Sequence, residues 1–508
     1  MQIEVIIEKK SHKLDAEEGK TILETLQEHG IHVLTAPCGG RGRCGKCTVE
    51  VEHMGEVLAC MTKVTDGMRI TIPKVQLRAQ KSKIAENGTV THYPADDGEG
   101  LDAACDIGTT TVVCHLIDGK TGEKLATVSE PSAQRSFGAD VLSRIQAAEA
   151  GKLEILKEQI IFQIAQMLRT LQKKTGRGEQ IQRLAVVGNT VMCHLFAGIS
   201  PVSIGVTPFM PQEFFGKEYT GEQLGLTDCR SVYIAPAVAG FVGGDITSDL
   251  LAVMQKNPKE KVLLLDIGTN GEMAVGNEEQ IYCCATAVGS AFEGAEMAMG
   301  MPAAAGAISH VWLDQRRIRV QVIGDEEACG ICGSGLIDAL AVILEMGLLD
   351  HTGLLKQKQS VSVAYRKYLG EYAGQPCVWL AHKVCVTQED IRGLQLAKAA
   401  FAAGMRILLQ DSHTSYEQLD QVILAGGFGS YLKKESAAAI GLIPKELLPI
   451  TDSVGNAAGE GAVSAAISKK AREQLSIIQK SMHYIELSTH PDFSQEYMDQ
   501  MDFDESKR

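Results

Sequence analysis

The chain has 508 residues, of which 45% are apolar and 22% charged, and its formal net charge is −14. That length exceeds a single hydrophobic core and predicts roughly two to four domains of ordinary globular composition. The acidic balance excludes a nucleic-acid binder, which needs a basic face, and no apolar run is long enough to cross a bilayer.

Residues 1–77 read as a small α+β unit. Ile3, Val5 and Ile7 alternate on a first strand. Nothing there resembles the apolar segment of a signal peptide, so a cytoplasmic location is expected. Thr21 caps a helix running from Ile22 to about His29, with Ile22, Leu23 and Leu26 on one face and Gly30 closing it. Residues 48–52 and 68–73 are further strands, which completes a β-grasp outline.

Between helix and strand lies Cys38-Gly-Gly-Arg-Gly-Arg-Cys44-Gly-Lys-Cys47, and Cys60 follows after one strand turns back. Thiolates on a glycine-rich loop can wrap a small iron–sulfur cluster. The glycines let backbone N–H groups approach the cluster and supply φ values that a Cβ would oppose. The spacing is C-x5-C-x2-C-x12-C. The plant-type signature has four residues in its first gap; five occur in vertebrate-type and related two-iron ferredoxins, which this loop resembles. A structural zinc site would draw its ligands from two closely spaced pairs, and only Cys44 and Cys47 form one. The expectation is a [2Fe–2S] cluster on Cys38, Cys44, Cys47 and Cys60. The same loop matches a dinucleotide fingerprint from Gly40 to Gly45 and nearly matches a P-loop, but both need a following helix, and residues 48–52 are strand-like. The other ten of the 14 cysteines are scattered, mostly in apolar context, and read as free buried thiols of a reducing compartment.

Residues 78–100, rich in Lys, Glu, Asp, Asn and Gly, read as a linker, part of it flexible. From Leu101 the pattern is α/β. Strand-like runs fall at 103–117, 184–187, 262–266, 318–323 and 422–424, and helical runs at 141–150, 154–173, 334–346 and 391–410. Cys105-Asp106-Ile-Gly108-Thr109-Thr110 is echoed by Leu265-Asp266-Ile-Gly268-Thr269-Asn270, 160 residues later. Each follows a buried strand and precedes another strand, so the two copies predict two similar half-domains with a cleft between them.

These turns have the chemistry of phosphate sites. A strand-end Asp holds Mg²⁺ directly or through water, Gly exposes backbone amides, and Thr or Asn adds neutral donors. A third element, a strand ending in Gly426-Gly427-Phe428, would let an adenosine lie flat against backbone. Together the three resemble the acetate kinase/sugar kinase/Hsp70/actin superfamily from about Leu101 to Lys470. That resemblance implies two ribonuclease-H-like lobes holding Mg-ATP. Asp106, Gly108, Thr109 and Thr110 would form the first phosphate loop. Asp266, Gly268, Thr269 and Asn270 would form the second, and Gly426, Gly427 and Phe428 the adenosine loop. Besides Asp106, Asp245 in Gly243-Gly244-Asp245 is the candidate catalytic residue that positions water or metal, with Glu293 as second choice; an Asp opening a helix is more often only a cap.

Over nearly its whole length the chain resembles the reductive activators of corrinoid proteins. The resemblance is carried by the cysteine loop, Val187-Gly-Asn-Thr190, Ala239-Gly-Phe-Val-Gly-Gly-Asp245, Leu265-Asp-Ile-Gly-Thr-Asn-Gly-Glu272 and Ala291-Phe-Glu-Gly294. It implies a ferredoxin domain (1–77), a linker (78–100, short for that family), ATPase lobe I (101–260), lobe II (261–470) and a peripheral tail (471–508). It also implies ATP-dependent delivery of one electron, from a low-potential donor protein through the cluster, to a corrinoid protein whose cobalt has lapsed to Co(II). The rival expectation is a small-molecule kinase regulated by a fused redox-sensing cluster. Dimerisation, common in the superfamily, is written in no pattern of this sequence.

Overall fold

Alternation sets the first sheet. Ile3 and Val5 point inward from β1 (Gln2–Ile7) and Leu14 from β2 (Lys10–Asp15). The computed structural model describes residues 1–31, 33, 34, 36–73, 76, 87–90, 92–98, 100–289, 292, 297–429 and 431–503. With β3 (Thr48–Val51), β4 (Gly55–Leu58) and β5 (Arg69–Thr71) the sheet order is β2-β1-β5-β3-β4, and β1 and β5 run parallel at its centre. The helix α1 (Ile22–Glu28) is fixed by a capping box. Thr21 Oγ1 accepts from the Glu24 N–H at 3.2 Å, and the Glu24 carboxylate accepts from the Thr21 N–H at 2.9 Å. Ile22, Leu23 and Leu26 then bury against Val5, Val49 and Ile70. Each such side chain contributes about 1.5–3 kcal/mol when fully buried.

The rest of the chain forms two lobes. In the first, β6 (Leu101–Ile107), β7 (Thr111–Asp118) and β8 (Lys124–Pro131) make an antiparallel meander. Next to it β9 (Ile181–Val187) and β11 (Cys229–Ile234) run parallel to β6, and β10 (Lys217–Thr220) closes the edge, giving the order β10-β11-β9-β6-β7-β8. In the second, β12 (Val262–Ile267), β13 (Gly271–Gly276) and β14 (Ile281–Thr286) repeat the meander. Two small three-stranded sheets are inserted after it, β16-β15-β17 (Ala307–Asp314 as β15, Arg317–Val322 as β16, Gly330–Ile331 as β17) and β18-β19-β20 (Leu369–Tyr372, Gln375–Ala381, Val384–Thr387). The main sheet is completed by β21 (Gln421–Ala425), β22 (Thr451–Gly455) and β23 (Met482–Ile485) in the order β22-β21-β12-β13-β14-β23. Without the edge strands β10 and β23, the two sheets have one topology. The short echo around Asp106 and Asp266 is therefore the visible part of a repeated half-domain.

Helices α2 (Val141–Ala147), α3 (Leu153–Thr175) and α4 (Thr190–Ala197) cover the first lobe, and α6 (Gly333–Glu345) and α7 (Gln388–Asp411) the second. Between the sheets lie α5 (Gly244–Met254) and α8 (Ala457–Ile467). They share a core of Ala104, Val187, Ile246, Leu250, Leu264, Ile423, Ala462 and Val463. Their backbones nearly touch: a Cβ at Gly461 would lie 2.3 Å from the Ser248 carbonyl oxygen. Although α8 comes late in the chain, it packs on β6 and β9 of the first lobe. The two lobes are thus cross-braced rather than merely consecutive. No helix among the described residues is long and apolar enough to cross a membrane.

Two stretches depart from expectation. Within the expected tail, 471–508, the described residues 471–503 are docked rather than peripheral: β23 pairs in parallel with β14, Phe503 is buried, and its N–H donates to the His351 carbonyl at 2.7 Å. The signal was missed because the buried Met482, Leu487 and Phe503 are widely spaced among polar residues. Of the linker, residues 78–86, 91 and 99 lie outside the described residues, but its later part is docked. The Gly88 N–H donates to Glu460 at 2.7 Å, the Thr89 N–H to the Val454 carbonyl at 2.9 Å, and Asp96 accepts from Ser468 and the Lys469 N–H at 2.8 and 2.7 Å. Buried Glu460 is the anchor of this strap, paired with His92 and, at 2.8 Å, with Lys124.

Candidate functional site

The thiol loop is shaped by its glycines. Gly39, Gly40, Gly42 and Gly45 all adopt positive φ, between 63° and 83°, where a Cβ is strained. This turns backbone N–H groups toward sulfur. Burial would raise the Cys38 thiol, but the N–H groups of Cys44, Arg43 and Arg41 outweigh it and bring Cys38 down to about 7. The four thiols form two pairs. Cys38 and Cys44, both half-buried, have sulfurs 3.3 Å apart. Cys47 and Cys60 are buried, and burial followed by the neighbouring Cys60 and Cys44 thiols pushes Cys47 up to about 12. Among the described residues no three Cys, His, Asp or Glu side chains converge on one ion position. Two thiol pairs flanked by amide donors fit a cluster of two irons.

The two lobes enclose a cavity of about 470 Å³. Asp106, Gly108, Thr109, Thr110, Asp245, Asp266, Gly268, Thr269, Asn270, Gly426 and Gly427 all line it, so sequence positions spread over more than 300 residues meet in one place. Glu293 lies outside the described residues, as does the side chain of Phe428, whose backbone belongs to a single helical turn at Gly426–Gly429. Asp106 and Asp266 occupy the same penultimate position of β6 and β12. Gly426 has φ +87°, and a Cβ there would lie 2.2 Å from an Asp266 carboxylate oxygen. The turn after Asp106 is braced by Asn189, which caps α4 and donates to Thr109 Oγ1 at 3.0 Å. Asp245 does not cap α5; Gly243 holds that position, which leaves the Asp245 carboxylate in the first turn facing the cavity.

Two acidic residues join that no motif singled out as ligands, Asp249 and Glu272. Asp249 lies one helical turn beyond Asp245, a spacing that puts both on one face of α5; this i,i+4 relation in an otherwise apolar helix was the available signal. Asp249 and Glu272 are buried, Asp106, Asp245 and Asp266 are half-buried, and all five line or border the one cavity. Burial, then the charge of Asp245, pushes Asp106 up to about 7; burial, then Asp245 and Asp106, does the same to Asp266. Burial brings Asp245 to about 6 and raises Asp249 and Glu272 well above the ordinary carboxylate range. Among the described residues, neither Asp249 oxygen meets a nitrogen or hydroxyl donor, and Asp106 receives one neutral donor, Asn456 Nδ2 at 2.9 Å. A hard divalent cation with oxygen ligands fits this arrangement, since it supplies the missing positive charge. Two cations of the chain also reach the cavity, Lys46 and Arg135. Arg135, from the turn Ala133–Phe137, is buried, and burial pulls its guanidinium down to about 10.

The cluster loop forms part of the same wall. Pro37, Gly45, Lys46 and Thr48 line the cavity beside the phosphate loops. Lys46 Nζ donates to the Met297 carbonyl at 2.9 Å, Gln27 Nε2 to the Ser136 carbonyl at 2.6 Å, and the Ala139 N–H to the Pro37 carbonyl at 3.2 Å. The N-terminal domain thus touches both lobes across the mouth of the cleft.

Comparison with known proteins agrees with this geometry. A model for a 2Fe-2S iron-sulfur cluster binding domain matches residues 4–74, one for the RACo middle region matches 101–257, and one for the C-terminal domain of RACo, the ASKHA domain, matches 260–508. The corrinoid activation enzyme RamQ of Eubacterium limosum is 30% identical over 557 aligned residues, covering 92% of this chain and 93% of that protein. A [Co(II) methylated amine-specific corrinoid protein] reductase of Methanosarcina barkeri is 26% identical over 381 residues, covering 67% and 65%. The solved structure of a reductive activator for a corrinoid, iron-sulfur protein superposes with a TM-score of 0.71 at 28% identity and covers 98% of each chain.

Proposed function

The chain belongs to the RACo-type corrinoid activation enzymes, and from that premise we propose that it couples Mg-ATP in the interlobe cleft to one-electron reduction of a corrinoid protein, from Co(II) to Co(I). Reductive activation of corrinoid proteins is the activity of the family, carried by a 2Fe-2S domain and an ASKHA ATPase domain. The kinase alternative is set aside by the 30% identity to RamQ over 92% of the chain.

The observation that carries the proposal is the shared wall: the thiol loop and both phosphate loops border one cavity. When bound, the cluster supplies a one-electron store, and Mg-ATP a phosphoanhydride whose hydrolysis is favourable. Cys38, Cys44, Cys47 and Cys60 hold the cluster. Asp106 and Asp266 would hold the cation from the two lobes, directly or through water, and Asp249 and Glu272 would add negative charge to the site. Thr109, Thr110, Thr269 and Asn270 offer neutral donors to phosphate, while Gly426 and Gly427 leave room for the adenosine. Asp245 orients water against the phosphate. A low-potential protein refills the cluster. Transfer to Co(II) is uphill from an ordinary donor, at roughly a tenfold factor for each 59 mV. Nucleotide offsets it by favouring one closed state of the complex.

The test is anaerobic reduction of a Co(II) corrinoid protein, followed by loss of the Co(II) spectrum, with and without ATP, using wild type and Cys44→Ala. Wild type is expected to reduce cobalt only with ATP, and Cys44→Ala to fail in both arms. Equal reduction with and without ATP sinks the proposal.

A further inference from the structure

Arg135 has no part in the phosphate loops, yet its position is unusual. Its side chain is 9% exposed and borders the same cleft as Asp106 and Thr109. Its Nη2 is buried with no hydrogen-bond acceptor among the described residues. A buried guanidinium lacking an acceptor costs free energy, and a planar fork of N–H donors is the group best matched to phosphate oxygens. The surrounding carboxylates explain why such a cation is needed: a polyanionic nucleotide entering an acidic cleft requires positive charge from the protein as well as from a metal.

We propose that Arg135 is a phosphate-binding residue of the cleft, and that the turn carrying it transmits nucleotide occupancy to the iron–sulfur domain. This rests on the reading of the cleft as an ATP site. The next residue, Ser136, accepts from Gln27 on α1 at 2.6 Å, and Ala139 donates to Pro37, one residue before the first cluster cysteine, at 3.2 Å. On the other lobe Lys46, between two cluster cysteines, is bound to the Met297 carbonyl at 2.9 Å. The iron–sulfur domain therefore straddles the lobes and is seated on the segment that grips phosphate. A nucleotide that draws Arg135 inward tightens this seat, and by reciprocity a seated domain tightens nucleotide binding.

The experiment measures the affinities of ATP and AMP and the hydrogen exchange of residues 36–48, in wild type, Arg135→Gln, Arg135→Lys and Gln27→Ala, with cluster absorbance verifying the fold. Arg135→Gln is expected to weaken ATP about tenfold or more and AMP much less, with Arg135→Lys recovering part of the loss. ATP is expected to slow exchange of residues 36–48 in wild type, but not in Arg135→Gln or Gln27→Ala. Equal losses for ATP and AMP, or no loss, overturn the phosphate role; protection that persists in both Arg135→Gln and Gln27→Ala overturns the transmission. If wild type binds neither nucleotide, the ATP reading falls and this proposal with it.

Discussion

The thiol loop and the acidic cleft are the two places where we propose that an inorganic group is held, and they differ in where the positions come from. The loop draws its four thiols from 23 consecutive residues, 38–60, and its glycine-turned backbone supplies N–H donors to Cys38 itself. Backbone N–H groups bring the Cys38 thiol toward ionisation locally, while burial raises Cys44 and Cys47. The cleft draws carboxylates from β6, α5, β12 and β13, and the fold forces them together although they repel. One site is a local motif that the surrounding structure only has to carry. The other is an assembly held against its own electrostatics by the cores of two lobes and the crossed helices between them. Function needs such strained charge, and stability elsewhere sustains it.

The largest effects should separate the two regions. Cys47→Ser is expected to remove visible cluster absorbance and cobalt reduction while ATP hydrolysis persists. Asp266→Ala is expected to keep the absorbance and lower hydrolysis by about 100-fold or more, because a metal site contributes several kcal/mol. If either substitution abolishes both signals, the division fails. Gly426→Ala is a smaller test of the cleft. At φ +87°, with a Cβ 2.2 Å from Asp266, alanine is expected to cost about 1–3 kcal/mol of stability and to weaken ATP binding; unchanged denaturant midpoints would place that glycine outside any constraint.

The smallest effect follows from the sign of the cleft's electrostatics. In the unfolded chain these carboxyls ionise near pH 4, whereas Asp106 and Asp266 stay protonated in the fold up to about 7. The folded state holds more protons between those values, so the metal-free protein should lose stability as pH rises through that window. Magnesium binding should release protons and tighten with pH over the same range. Asp249→Asn removes one repelling charge and is expected to raise the Tm of the metal-free protein at pH 8 by roughly 2–4 °C, the shift that ~1 kcal/mol gives in a large domain, while weakening the magnesium dependence of nucleotide binding. A Tm that falls in Asp249→Asn, or is flat with pH in wild type, contradicts the repulsion.

Residue order alone determined whatever depends on neighbours along the chain: the capped helix at Thr21, the glycine-turned thiol loop, and the paired Asp-Ile-Gly-Thr strand ends. Short-range sterics and strand periodicity write these directly into sequence. Tertiary structure alone decided the rest. It brought Asp249, Glu272 and Arg135 to the cavity, because burial and mutual repulsion are properties of the assembled lobes. It placed α8 on the opposite lobe and β23 at a sheet edge, because the apolar positions that seat them are matched only by distant surfaces. It also set the thiol loop across the mouth of the cleft through Gln27, Pro37 and Lys46. Those three contacts span more than 100 residues each, and no local pattern encodes a distance of that kind.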